Sequence, residues 1–113
     1  MSALTELSGL ERGETVIDSG LAYGDGEAVE VLVRKRLHRY VLSDRGRAVE
    51  KAGKPSGWRE PAEVACLPMN VDRQGTVFVP VVEGRDIGDL VVRFADASRA
   101  VHETLLALKG HGL

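Results

Sequence analysis

Cys66 is the only cysteine in the chain, and His38, His102 and His111 are the side chains that could serve its sulfur as a base. A cysteine and histidine make an attacking pair only where the fold holds the imidazole against the thiol. None of these residues lies in a motif that fixes such a geometry, so Cys66 reads as a buried structural thiol. His102 adjoins an apolar stripe and reads as a partly exposed helix residue, and His111 belongs to a frayed tail. Asp44 with Asp18, Asp25 or Glu27 could form the carboxylate pair that acid–base chemistry uses. Acids in turns and first helical turns are equally accounted for by capping and by the helix dipole. Scattered histidines and a lone cysteine supply no ligand cluster, so no metal and no cofactor is expected. Gly24-Asp25-Gly26 and Gly84-Arg85-Asp86-Ile87-Gly88 match neither a dinucleotide fingerprint nor a phosphate loop, and both read as turns.

The strongest functional candidate is a run of charge. Residues 1–33 carry seven acids against Arg12, whereas residues 34–54 carry eight bases against Asp44 and Glu50, inside a net charge of only -2. Arg34, Arg36, Arg39, Arg45 and Arg47 concentrate guanidinium groups suited to phosphate recognition. The same bases could instead neutralise the acidic first third of the chain. An overall acidic chain of pI about 5.9 with one aromatic, Tyr40, near these arginines offers no stacking platform for bases. Trp58, the only tryptophan, follows Pro55-Ser56-Gly57 on a loop. It is either an exposed anchor for a partner or a packing residue in a core poor in aromatics.

The elements that must position these residues follow from periodicity. Ser2 can cap a short helix carrying Leu4, Leu7 and Leu10. Thr15-Val16-Ile17 starts the sheet, with an irregular loop from Gly20 to Gly26. Val29, Val31 and Val33 share one face of a strand over 27–34, and a four-residue connection, Lys35 to His38, leads to a strand over 39–42. Asp44, with Ser43 as the competing cap one residue earlier, caps a helix over 44–52 closed by Gly53 and Pro55. Ser56 can cap a middle helix with Pro61 in its first turns, ended by Pro68. A second hairpin pairs 69–71 with 76–82 around Gly75, with Pro80 arguing for an edge position. Ile87, Leu90, Val91, Phe94, Ala97, Ser98, Val101, Leu105 and Leu108 make one helical stripe from about 86 to 109.

These elements predict a single α+β domain over 1–113: an antiparallel sheet of four to five strands packed against a long C-terminal helix, with shorter helices at its edge. With 43% apolar and 28% charged residues, the composition is that of a globular chain and not of a disordered one. No apolar run approaches the roughly 20 residues that span a bilayer, and Met1 to Leu10 lacks a basic start and hydrophobic block. A cytoplasmic location is the expectation, in keeping with the unpaired Cys66.

Gly24-Asp25-Gly26-Glu27, the junction Tyr40-Val41-Leu42-Ser43-Asp44-Arg45-Gly46 and the helix from Asp86 to Leu108 occur in an order that resembles a small prokaryotic family of unknown function, numbered 1828 among such domains. The likeness covers about residues 10–108. The Arg-rich hairpin and the Pro55-Ser56-Gly57-Trp58 loop depart from it. The resemblance implies a prokaryotic, phage or mobile-element setting and a binding or regulatory role, and it supplies no reaction.

The function expected is therefore a non-enzymatic binding or regulatory module with a protein partner, or one that self-associates. Its candidate contact residues are Arg34, Arg36, Arg39, Arg45, Arg47 and Trp58. The alternative is nucleic-acid binding through the basic hairpin at 34–47, with an enzyme ranked last. Neither a membrane nor a small-molecule substrate is expected.

Overall fold

Val29, Val31 and Val33, at every second position, build the buried face of the second of three strands in the first half of the chain. The structure is a computed structural model that describes residues 13–36, 39–82 and 87–111. Strand β1 spans Glu14–Ala22, β2 Ala28–Arg36 and β3 Arg39–Ser43. Helices α1 (Arg47–Lys51) and α2 (Arg59–Ala65) follow, then β4 (Asn70–Val71), β5 (Val77–Val82) and the long α3 (Ile87–His111). The strands form one antiparallel sheet in the order β1-β2-β3-β5-β4. The α+β class expected from the sequence is the one observed.

Register sorts the side chains into two faces. Ile17 opposite Val31, and Val33 opposite Leu42, put their side chains on the core face, where all four are buried. Helix α3 crosses this face over β1 and β2, and α1 and α2 pack on α3. Its stripe of Val91, Phe94, Val101 and Leu105 is buried in the same core, as the spacing predicts. The opposite face carries the row Val16–Leu32–Ser43–Phe78–Asn70 beside the row Glu14–Arg34–Val41–Pro80. No described helix covers it. Leu32 lies on this face and is nonetheless buried, at 8% exposure, outside the main core cluster.

Several boundaries differ from the sequence reading. β1 runs on to Ala22 past Ser19 and Gly20, absorbing part of the expected loop. A register irregularity between Asp18 and Ala22, with Gly20 at φ +83, lets the strand continue. β2 extends to Arg36, which pairs with Arg39, so the expected four-residue connection shrinks to residues 37 and 38. The helix expected from Asp44 begins only at Arg47, because Arg45 (φ +59) and Gly46 (φ +76) take left-handed conformations that no helix contains. It ends as expected at Gly53: the Gly53 N–H donates to Glu50 and the Lys54 N–H to Val49, a Schellman closure. The middle helix starts at Arg59 after Trp58, with Pro61 in its first turn where no N–H is missed. The N-terminal helix with Leu4, Leu7 and Leu10 lies outside the described residues, as does His38.

Pro80 shows how an internal strand tolerates proline. β4 pairs only with Val77 and Phe78, so β5 is an edge from Val79 onward. The Asp44 N–H donates to the Val77 carbonyl. Because antiparallel bonds alternate along the ladder, the Pro80 nitrogen points away from β3 toward this open side.

Candidate functional site: an ion-paired basic segment and the outer face of the sheet

Helix α1 places Arg47 and Lys51 one turn apart, and both reach the Asp25–Glu27 turn between β1 and β2. Arg47 meets Glu27 at 2.6 Å and Glu50 at 3.1 Å, while Lys51 meets Glu27 at 2.8 Å and also Asp25. The Lys51 side chain is only 9% exposed, and its ammonium lies 5.4 Å from the centre of the Tyr23 ring. Hydrogen bonds from Lys51 hold the Asp25 and Glu27 carboxyls below their usual range. In return Asp25 raises Lys51, and Glu27 raises Arg47. Arg45 pairs with Glu30 at 3.3 Å and Arg34 with Glu14 at 3.2 Å, both across exposed surface. Charge segregation along the chain thus becomes charge pairing in space. Arg39 is exposed and makes no ion pair among the described residues, and its register partner across the hairpin is Arg36. Trp58 is half-buried against the core, with the Lys54 ammonium 5.6 Å from its ring centre.

Asp44 is the most constrained polar residue, at 1% exposure. Its Oδ1 accepts from the N–H groups of Gly46 (2.8 Å) and Val77 (2.9 Å), and its Oδ2 from Ala48 N–H (3.3 Å) and Ser98 Oγ (2.8 Å). It therefore serves the first turn of α1 from two residues before the N-cap Gly46, and it also ties β5 and α3 to β3. Burial pushes its carboxyl above the usual aspartate range, against these hydrogen bonds. Ser98 Oγ also lies 2.9 Å from the Tyr23 hydroxyl, which burial likewise raises. Tyr23 in turn stands edge-on to the His102 ring at 5.2 Å. The expected partly exposed His102 is instead 3% exposed, with a buried Nδ1 that has no hydrogen-bond partner among the described residues. A charge-relay triad needs an imidazole between hydroxyl and carboxylate. Here the carboxylate bonds the serine directly and both are buried, so the set acts as a polar link between sheet and helix. Asp18, Asp25 and Glu27 do not join Asp44 in a carboxylate pair, since the latter two hold Lys51. Cys66 is buried as expected, its thiol 3.4 Å from the Glu63 carbonyl and raised in pKa by burial. No group of three potential metal ligands occurs among the described residues.

Ser98 appeared in the sequence only as a small member of the α3 stripe, and Tyr23 gave no signal. The apolar residues on the sheet face away from the described helices were also missed. Val16, 41% exposed, adjoins Leu32 in the register, and Val41, Phe78 and Pro80 continue the apolar band across β3 and β5. Arg39 lies beyond one end of this band, and Asp18 pairs with Glu30 beyond the other. A second apolar surface is an open groove of about 520 Å³ between α2 and α3, lined among others by Leu67, Met69, Val79 and Leu90. Comparison with family models, curated proteins and solved structures finds no significant match to the chain.

Proposed function

We propose that this protein is a non-enzymatic binding module that acts through protein–protein contacts on the face of its sheet that carries no described helix. The observation that carries this reading is the set of Val16, Val41, Phe78 and Pro80, exposed or half-buried around buried Leu32 in adjacent registers on the face away from every described helix. Apolar patches rimmed by charge suit protein partners. The ion pairs of Arg34, Arg45, Arg47 and Lys51 support this reading over nucleic-acid binding, because bases already matched to carboxylates release few counterions on meeting phosphate. A regulatory role in a prokaryotic, phage or mobile-element setting, and a cytoplasmic location, are proposed from the resemblance carried by Tyr40 to Gly46. No helix among the described residues is long and apolar enough to cross a membrane.

Photo-crosslinking in cells tests this reading, with benzoylphenylalanine placed at Val16, at Leu67 in the groove, or at Val92 on the outer side of α3. Protein adducts at Val16 in excess of the other two are expected. Adducts concentrated at Leu67 move the contact to the groove, and their absence at Val16 refutes the sheet-face reading. The nucleic-acid alternative rests on exposed Arg39. It predicts salt-dependent DNA binding whose log–log slope flattens by about 0.9 in Arg39→Gln for each lost duplex contact. The expected titration shows no such binding.

A further inference from the structure

We propose that Asp25-Gly26 is a site of spontaneous covalent modification, the conversion of Asp25 to isoaspartate through a cyclic imide, and that Lys51 guards it. The Gly26 main-chain nitrogen attacks Asp25 Cγ. A new N–C bond forms, the proton of the nitrogen and the carboxyl hydroxyl leave as water, and a five-membered succinimide closes. Water then adds to one of the two imide carbonyls and breaks its bond to nitrogen. Opening at the Asp25 side-chain carbonyl restores aspartate. Opening at the main-chain carbonyl leaves the chain running through Cγ, which is isoaspartate, with a free α-carboxylate. One water is lost and one regained, so no oxidant or other co-reactant is needed.

Sequence and position single out this pair. The attack brings the nitrogen of the next residue close against the carboxyl, and glycine has no side chain to obstruct it. Asp25-Gly26 is the only Asp-Gly pair in the chain, and no Asn-Gly pair occurs. Asp18 and Asp72 precede Ser19 and Arg73, and Asp44, before Arg45, is buried. The Asp25 side chain is 51% exposed, in the turn between β1 and β2, so water reaches it.

Two contacts restrain the reaction. The Gly26 N–H donates to the Tyr23 carbonyl at 2.9 Å, which engages the attacking nitrogen. Lys51 restrains the other partner. Only the protonated acid loses its hydroxyl as water, and the hydrogen bond from Lys51, followed by that from the Glu27 N–H, keeps the Asp25 carboxyl below its usual range and so ionised. Lys51 is itself fixed, by Glu27 at 2.8 Å and by the Tyr23 ring. Isomerisation puts one more carbon into the main chain, inside the turn that the Tyr23 N–H closes onto the Glu27 carbonyl at 2.9 Å. It also draws the carboxylate one carbon closer to the backbone and away from Lys51. The modification therefore undoes the clamp of α1 on the β1–β2 turn.

Peptide mapping of the full chain after prolonged incubation, with isoaspartyl residues labelled by enzymatic methyl transfer from S-adenosylmethionine, reads both site and rate. Isoaspartate is expected at Asp25 before Asp18 or Asp72. Lys51→Gln should speed it by about two- to fivefold, the worth of a partly exposed ion pair, and should move the rise of the rate with acidity to higher pH. Asp25→Asn separates charge from mobility: an amide loses ammonia without prior protonation, so adding Lys51→Gln to it should leave the rate unchanged. Circular dichroism confirms that each variant is folded. Isoaspartate that appears first elsewhere, or not at all, overturns the site. An unaltered rate in Lys51→Gln, or an equal acceleration in the Asp25→Asn background, overturns the guard.

Discussion

Asp44 is the residue whose replacement tests the fold most sharply. Asp44→Ala leaves three buried donors without an acceptor: the Val77 and Ala48 N–H groups and the Ser98 hydroxyl. Each unsatisfied buried group costs about 1–3 kcal/mol. Burial already disfavours the carboxylate, so removing the charge returns part of that sum. The net loss expected is about 3–6 kcal/mol, a large share of the roughly 5–15 kcal/mol that stabilises a domain. Asp44→Asn keeps a carbonyl for Gly46 and Val77, but it turns an NH2 toward the Ala48 N–H, so a loss of about 1–3 kcal/mol remains. Ser98→Ala removes one bond from Asp44 and one from Tyr23, again about 1–3 kcal/mol. Urea titration of the three variants and of Asp44→Ala combined with Ser98→Ala gives the coupling. The combined loss should fall short of the sum of the single losses, because both changes break the same bond. Strict additivity, or Asp44→Ala within about 0.5 kcal/mol of the parent, would refute the network as described.

Other expectations follow from packing and titration. Phe94, fully buried on α3, should lose about 3–5 kcal/mol as Phe94→Ala, read as a fall in the urea midpoint. Gly75 has φ +94, and a Cβ there would stand 3.0 Å from Val49 Cβ, so Gly75→Ala should cost about 1–3 kcal/mol by the same titration. Burial lowers the His102 pKa from its ordinary 6.5, so in that window the unfolded chain binds more protons than the folded one. Its contribution is present above 6.5 and is lost as pH falls through the lowered folded value. Stability measured on either side of this window should therefore drop toward acid, and His102→Gln should flatten the drop.

What could be read from the sequence and what could not divides along a physical line. Alternation in Val29, Val31 and Val33 and the three-to-four spacing from Ile87 to Leu108 are local records of burial, so the sheet, the long helix and the face they share were legible. The helix at α1 was displaced because Asp44 looks locally like an N-cap, while its bonds to Val77 and Ser98 span 33 and 54 residues. Nothing near Asp44 announces them. His102 adjoins Val101 in the stripe and was expected partly exposed. It is buried, and Tyr23, the residue just after β1, stands against its ring.

The candidate site was hidden for a related reason. In β2 the residues Glu30, Leu32 and Arg34 alternate with the core valines, and a single leucine between two charges reads as the solvent side of an amphipathic strand. Val16, Val41 and Phe78 are equally unremarkable in their own strands. Only the register brings one apolar residue from each of several strands onto neighbouring positions of one face, so the band belongs to the pairing and to no single segment. The basic run is the converse case: conspicuous in sequence, it meets Glu14, Glu27 and Glu30 once β1 and β2 fold back beside it. A surface is defined by what remains unmatched after pairing. Here that remainder is the apolar band with Arg39 at one end and Asp18 at the other, and binding should follow it and not the arginine count.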